Sequence, residues 1–178
     1  MKFIVEKNTL LKSLSHVQSI VEKKNTLPIL SNILLDAKDN SLILSATDMD
    51  ISITEKLNCN IVEEGSTTVS AHTLYDIIRK LPDTSEIEII SNDGKIISIR
   101  SGKSKFSLGC LPKKDFPIIE IGNLEIEMNI DSRKFLQLID KTRFAISNEE
   151  TRYFLNGIYF HKKKEDHSNL LSVVATDG

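Results

Sequence analysis

Cysteine occurs only twice in the 178 residues, as Cys59 and Cys110, histidine four times and glycine seven times. Two cysteines at alternating apolar positions of strand-like segments exclude a disulfide framework and read as packed, reduced thiols of a reducing compartment. His16, His72, His161 and His167 lack metal-ligand spacing, and no glycine-rich phosphate loop or nucleophile elbow occurs. The sequence therefore offers no catalytic centre and needs no cofactor or metal. Asp48 and Asp50 come nearest to a carboxylate pair, but Asp177 repeats the first of them in a duplicated unit, so a turn or strand-end role is expected. Long apolar runs are also missing: Phe3, Ile4 and Val5 are cut off by Glu6 and Lys7, too short a run for a signal peptide or membrane span. The expectation is a cytoplasmic protein with no membrane contact. Neither sign of charge dominates, since 23 basic and 25 acidic residues leave a net charge of -2.

What the chain does have is an internal repeat. TLPILSNILL…LILSATDMD, from Thr26 to Asp50, returns as TRYFLNGIYF…LLSVVATDG, from Thr151 to Gly178. Upstream, Leu10, Leu14, Val17 and Val21 return as Phe135, Ile139, Thr142 and Ile146, on spacings that place each set along one helical stripe. Four extra residues in the second copy fall between His161 and Asn169, where a hairpin tip tolerates insertion. A repeat longer than a solenoid period implies duplicated domains. The second copy stops part way, so the chain is expected to be a portion of a longer protein.

Within the first copy the element order itself recurs. Met1 to Val5 reads as a strand, Asn8 to Lys24 as a helix, and Ile29 to Ala37, Leu42 to Thr47 and Ile51 to Ile61 as three strands. The order restarts at Gly65: Thr67 to Ser70 strand, His72 to Leu81 helix, then Glu86 to Ile90, Ile96 to Ser101 and Lys105 to Cys110. Turn chemistry supports the joints, with Asp39-Asn40, Asn92-Asp93-Gly94 and Ser101-Gly102 at hairpins and Leu81-Pro82 ending a helix. The fold class is α+β, built of duplicated strand-helix-three-strand units. Residues 1–121 form a first domain, including a linker over 111–121, and residues 122–178 the first part of a second. That part opens with a strand from Glu125 to Ile130 and a helix from Ser132 to Ile146. Lys162-Lys163-Lys164 is read as a solvated hairpin tip.

Charge is segregated by element. Counting the first helix from Lys7, the three predicted helices hold ten basic and three acidic residues, leaving 13 basic and 22 acidic for the rest of the chain. Helices sharing one face would present Lys and Arg to phosphates, although both residues are also good helix formers on any solvated face.

The strings MKFIVE, TLPILSNILL, TTVSAHTLYDIIRKLP, RSGKSKFSLGCLPKKDFP, RYFLNGIYF and VATDG resemble, in order over the whole chain, the N-terminal part of the bacterial DNA polymerase III beta subunit, the sliding clamp. That resemblance implies sheets outside and helices lining an inner face, and two subunits of three such domains closing head to tail around duplex DNA. It implies a processivity factor rather than an enzyme, with the DNA polymerase III alpha subunit, the clamp loader and other clamp-binding-peptide proteins as partners, and a homodimer when full length.

Residue by residue, the resemblance implies DNA contact at Lys24, His72, Tyr153 and Phe154, and the helix charges add Arg79, Lys80 and Lys141. A packed core position is an equal reading for Phe154. Phe106 and Leu108 match the edge strand that pairs with the other subunit, and would equally suit a strand facing its own core. Leu155, Thr176 and Gly178 match a groove for partner peptides. The alternative is an interaction module of the same fold that does not encircle DNA, and the chain as given is expected not to close a ring.

Overall fold

The computed structural model describes residues 1–22, 26–83, 85–118, 128–165 and 168–178. The chain divides into two compact units, Met1–Glu120 and Ile121–Gly178.

In unit 1 the chain runs through β1 (Lys2–Glu6), α1 (Lys7–Val17), β2 (Asn32–Lys38), β3 (Ser41–Thr47), β4 (Ser52–Asn58), β5 (Asn60–Glu63), β6 (Gly65–Ser70), α2 (Ala71–Lys80), β7 (Glu86–Ile90), β8 (Ile96–Ser101) and β9 (Ser104–Leu111). The strands form one sheet in the order β4-β3-β2-β6-β9-β8-β7-β1-β5. Each strand-helix-three-strand half lends its first strand to the other half: β1 pairs antiparallel with β7, and β6 with β2. The long strand expected from Ile51 to Ile61 breaks at Cys59. Beyond the break the chain crosses to β1, placing Ile61 opposite Phe3.

Alternation decides which side of the strands is covered. Ile33, Leu35, Leu42 and Leu44 of one half and Ile87, Ile89, Ile97 and Ile99 of the other are fully buried, and α1 and α2 close over them with Leu10, Leu14, Leu74 and Ile78. Asp39 and Asn40 both adopt positive φ (50° and 56°), the geometry of a tight two-residue hairpin, where the sequence places it.

Helix α1 starts because the Glu6 carboxylate accepts from the amides of Asn8 (3.1 Å) and Thr9 (3.0 Å). The Thr9 hydroxyl, which donates to the same carboxylate, and then those amides hold the Glu6 pKa below its ordinary value. The helix ends at Val17, short of the expected Lys24, and passes into a tighter 3-10 turn over Gln18–Ile20. Ser15 and Ser19 turn their hydroxyls back onto the carbonyls of Lys12 and His16 (both 2.6 Å), a local bond that competes with the helix ladder. Helix α2 stops at Leu81, which is extended ahead of Pro82. The Asp48 carboxylate accepts from Asp50 N (3.0 Å) and Ile51 N (2.7 Å), so it serves the turn into β4.

Unit 2 contains α3 (Ser132–Thr142) and the antiparallel hairpin β10 (Tyr159–Glu165) and β11 (Ser168–Val174). Asp131 caps α3 through Lys134 N (3.1 Å). At the other end the Thr142 hydroxyl bonds back to Leu138 O (2.9 Å), and a 3-10 turn over Arg143–Ala145 replaces the expected continuation to Ile146. Phe135 of α3 stacks on Phe160 of β10 at 5.7 Å. Lys162, Lys163 and Lys164 lie within β10 and not at the hairpin tip. The strand expected from Glu125 to Ile130 falls largely outside the described residues.

Candidate nucleic-acid interface and partner surfaces

The amphipathic pattern that buries one side of α1 and α2 leaves Lys12, Arg79 and Lys80 on the exposed side. The one acidic residue of those helices, Asp76, accepts from Arg79 Nη2 at 3.1 Å, and the Arg79 guanidinium also stands 5.7 Å from the Tyr75 ring centroid. Lys80 lines a pocket of about 380 Å³ between α2 and β9, with His72, Asp76, Ile77, Pro82 and Phe106. The fold thus brings three of the sequence-derived candidates, His72, Lys80 and Phe106, around one depression. Lys7 departs from the reading of helix cations as exposed: it is 4% exposed, and its ammonium donates to Leu81 O (2.6 Å) and Asp83 Oδ1 (2.7 Å). That contact holds the Asp83 carboxyl below its usual range. In unit 2, Lys141 is exposed in the last turn of α3. Lys24 lies outside the described residues.

His72 is engaged within the protein. Its Nδ1 is 3.0 Å from Gln18 Oε1 and its Nε2 is 2.8 Å from Val21 O, which ties the first turn of α2 to the chain leaving α1. Tyr153 and Phe154 are exposed, at 79% and 71%, and meet edge to face with ring centroids 6.0 Å apart. Phe154 is therefore not a core side chain among the described residues.

Strand β9 has an open edge. Among the described residues, Ser104 to Gly109 pairs only with β8, and β6 joins β9 only at Cys110 and Leu111. Phe106 on that stretch is 37% exposed, and Leu108 packs against the core while remaining half-buried. Cys59 and Cys110 are free, half-buried thiols whose pKa values burial raises, so neither is an activated nucleophile.

A second pocket, of about 240 Å³, lies in unit 2, where Leu155, Tyr159, His161, Val174 and Thr176 converge with Phe154. Leu155 and Thr176 were expected there. Gly178 is not part of its wall, though its amide donates to Thr176 Oγ1 at 3.2 Å. Tyr159, His161 and Val174 were missed. Their signal was hairpin alternation, which puts Tyr159 opposite Val174 and His161 on the same side, where the two rings stack at 5.4 Å. His161 Nδ1 is buried with no partner among the described residues. Among those residues no group of three or more His, Cys, Asp or Glu could hold a metal ion, and no helix is long and apolar enough to cross a membrane.

Comparison with known proteins follows the same division. The family "DNA polymerase III beta subunit, N-terminal domain" matches residues 1–120, and "DNA polymerase III beta subunit, central domain" matches residues 129–178. The beta sliding clamp of Caulobacter vibrioides is 48% identical over 179 residues, covering 100% of this chain and 48% of the relative; that of Rickettsia felis is 42% identical, covering 100% and 46%. The chain thus spans about half the length of these curated relatives. Among solved structures, Caulobacter crescentus pol III beta superposes with a TM-score of 0.94 at 48% identity, over 100% of this chain and 48% of that one. A sliding clamp from Bartonella birtlesii bound to griselimycin gives 0.94 at 47% identity, over 99% and 47%. With both units matched in order by the family's own domains and an α+β clamp fold shared with its solved members, this chain belongs to the DNA polymerase III beta subunit family, the bacterial sliding clamps.

Proposed function

We propose that the chain supplies the first domain and part of the second domain of a ring that encircles duplex DNA and tethers a replicative polymerase in the cytoplasm. The proposed domains are residues 1–121, with a linker over 111–121, and residues 122–178. The observation that carries the reading is the two-sidedness of α1 and α2: buried sides all apolar apart from Lys7 and Ser13, exposed cations Lys12, Arg79 and Lys80, and a lone acid already paired. Such a surface attracts a polyanion without reading bases, because phosphate contacts position and do not specify. The function is topological and non-catalytic. A closed ring leaves DNA only when an interface opens, so a few weak contacts suffice, and many strong ones would halt sliding.

Arg79, Lys80 and Lys141, with Lys24, are the proposed phosphate contacts, and Tyr153 and Phe154 flank the DNA with exposed rings. His72 acts in this scheme as a tie between α1 and α2, since both its ring nitrogens face protein oxygens. The open edge of β9, with Phe106 and Leu108, is the proposed junction with a second subunit in the full-length homodimer. The pocket at Leu155 and Thr176, with Gly178 held to the Thr176 hydroxyl beside it, takes the apolar anchors of partner peptides: the DNA polymerase III alpha subunit, the clamp loader and other proteins that carry such a peptide.

The test is a chimera in which residues 1–178 replace the matching segment of the Caulobacter vibrioides clamp. The expected result is retention on circular DNA and loss from linear DNA through the ends. A chimera that dimerises yet binds neither form would reject DNA encirclement and favour an interaction module of the same fold.

A further inference from the structure

The sheet of unit 1 has a second face, turned away from α1 and α2. On β8 and β9 alternation sends Ile97, Ile99 and Leu108 into the core, which leaves Ser98 and Arg100 of β8 and Lys105 and Ser107 of β9 on the outer face. The register sets Ser98 opposite Ser107 and Arg100 opposite Lys105. Opposed side chains start about 5 Å apart and residues two positions along a strand about 7 Å apart, so two hydroxyls and two cations form one compact block. With Ile90 and Ile96 they line a depression of about 370 Å³.

Two features of this block are unfavourable as the protein stands. Arg100 and Lys105 oppose each other as like charges, an arrangement that weakens a strand pair. Neither is neutralised closely: Arg100 Nη1 stands 3.7 Å from Glu88 Oε2, while the other oxygen of that carboxylate is held by Lys2 at 2.8 Å. Lys105 is exposed and has no ion pair among the described residues. The second feature is the Ser98 hydroxyl, which is buried with no hydrogen-bond partner among those residues. A buried polar atom without a partner calls for an explanation, a bound ion among them. Asp93, the acid that lines the depression, turns its carboxylate to the amides of Lys95 (2.9 Å) and Ile96 (3.4 Å).

A tetrahedral dianion answers both features, because it takes two counter-charges and still offers acceptors to two hydroxyls. A carboxylate would match the Arg100 fork alone and leave Lys105 over. We propose that this depression binds a phosphate group, free or as the monoester of a mononucleotide, with Arg100 and Lys105 as counter-charges and Ser98 and Ser107 as hydroxyl donors. The site lies within residues 1–120, which the family's N-terminal domain matches. A strand edge pairs through main-chain groups, so a strand added along β9 leaves this face open. The proposed DNA contacts are on the helix side of the sheet, and the site does not depend on them.

The test is a titration of the nitrogen-15-labelled 178-residue chain with sodium phosphate, held at constant ionic strength by sodium chloride and followed by amide chemical shifts. The expected result is saturation of the Ser98, Arg100, Lys105 and Ser107 shifts along one isotherm, with the amides of Arg79 and Lys80 unmoved. Arg100→Gln and Lys105→Gln should each weaken binding about tenfold, and Ser98→Ala should weaken it too. Because Lys105 is exposed and unpaired, its variant keeps a folded spectrum and reads binding alone. Adenosine monophosphate then separates the two sources: tighter binding with added shifts at Ile96 assigns a nucleotide, and equal or weaker binding assigns free phosphate. Shifts that never saturate, that persist unchanged in Lys105→Gln, or that centre on α2 would each overturn the proposal.

Discussion

The ammonium of Lys7, in the first turn of α1, lies 2.6 Å from the carbonyl oxygen of Leu81, at the end of α2. It thereby satisfies a helix-end acceptor that Pro82 leaves without a further turn. Lys7→Met removes the donor and keeps the apolar stem. The loss is about 1–3 kcal/mol, the cost of a buried acceptor left unpaired, read as a lower urea midpoint with unchanged slope. The same substitution alters the acid limb. Because Lys7 depresses the Asp83 pKa in the folded state, this pair stabilises the fold above the ordinary carboxylate range and ceases to do so as the pH falls through the depressed value. Wild type should lose stability on acidification below about pH 4 more steeply than Lys7→Met, measured by urea titration at several pH values.

Gly65 opens β6 with φ of 152°, and a β-carbon placed there would stand 3.0 Å from the Met1 β-carbon. Met1 cannot easily yield, because its ammonium is held by Ser91 O (3.0 Å) and Glu63 Oε1 (3.1 Å). Gly65→Ala should destabilise by about 1–3 kcal/mol. Thermal unfolding checks it, and a variant as stable as wild type would show that the start of β6 can rearrange.

Core truncation should separate the units. Leu14→Ala opens a cavity among fully buried neighbours and costs about 2–5 kcal/mol. At the repeat-related Ile139, half-buried in unit 2, the same truncation should cost less than half as much. Chemical unfolding of both variants compares them.

Removing cations that meet phosphates should change how binding responds to salt. Each of Arg79→Ala and Lys80→Ala should lower the magnitude of the slope of log affinity against log salt by up to about 0.9, the increment that one neutralised phosphate contributes. His72→Ala should leave that slope unchanged while lowering the unfolding midpoint, since its nitrogens face Gln18 and Val21. Fluorescence anisotropy with a duplex, in the chimera with the Caulobacter vibrioides clamp, supplies the slopes.

Elements governed by local rules were readable from the residues alone. Asp39-Asn40 announced its hairpin through its tolerance of positive φ, Leu81-Pro82 announced a helix end, and alternation assigned the strands of both halves. Features set by distant partners were not. Nothing near Cys59 says that the strand breaks there, because the cause is β1, which draws β5 across from the far side of the sheet. Lys7 reads as an exposed helix cation until Leu81 and Asp83 arrive 74 and 76 residues later. Among the site residues, the exposed cations of α2 and the open edge at Phe106 followed from pattern and resemblance. The engagement of His72 and the joining of Tyr159, His161 and Val174 to the Leu155 pocket required tertiary structure.

The exchange of β1 and β6 between the halves bears on how the chain is made. A ribosome that has delivered only β1 to β4 holds a nascent segment whose first strand has neither of its neighbours, β5 nor β7, the latter some 80 residues away from it. Pairing across such a separation carries a large loop-closure cost and slows folding. Unit 1 should therefore acquire its structure in one late step, once β9 has left the exit tunnel, and until then chaperones that hold extended apolar strands have their longest opportunity to bind.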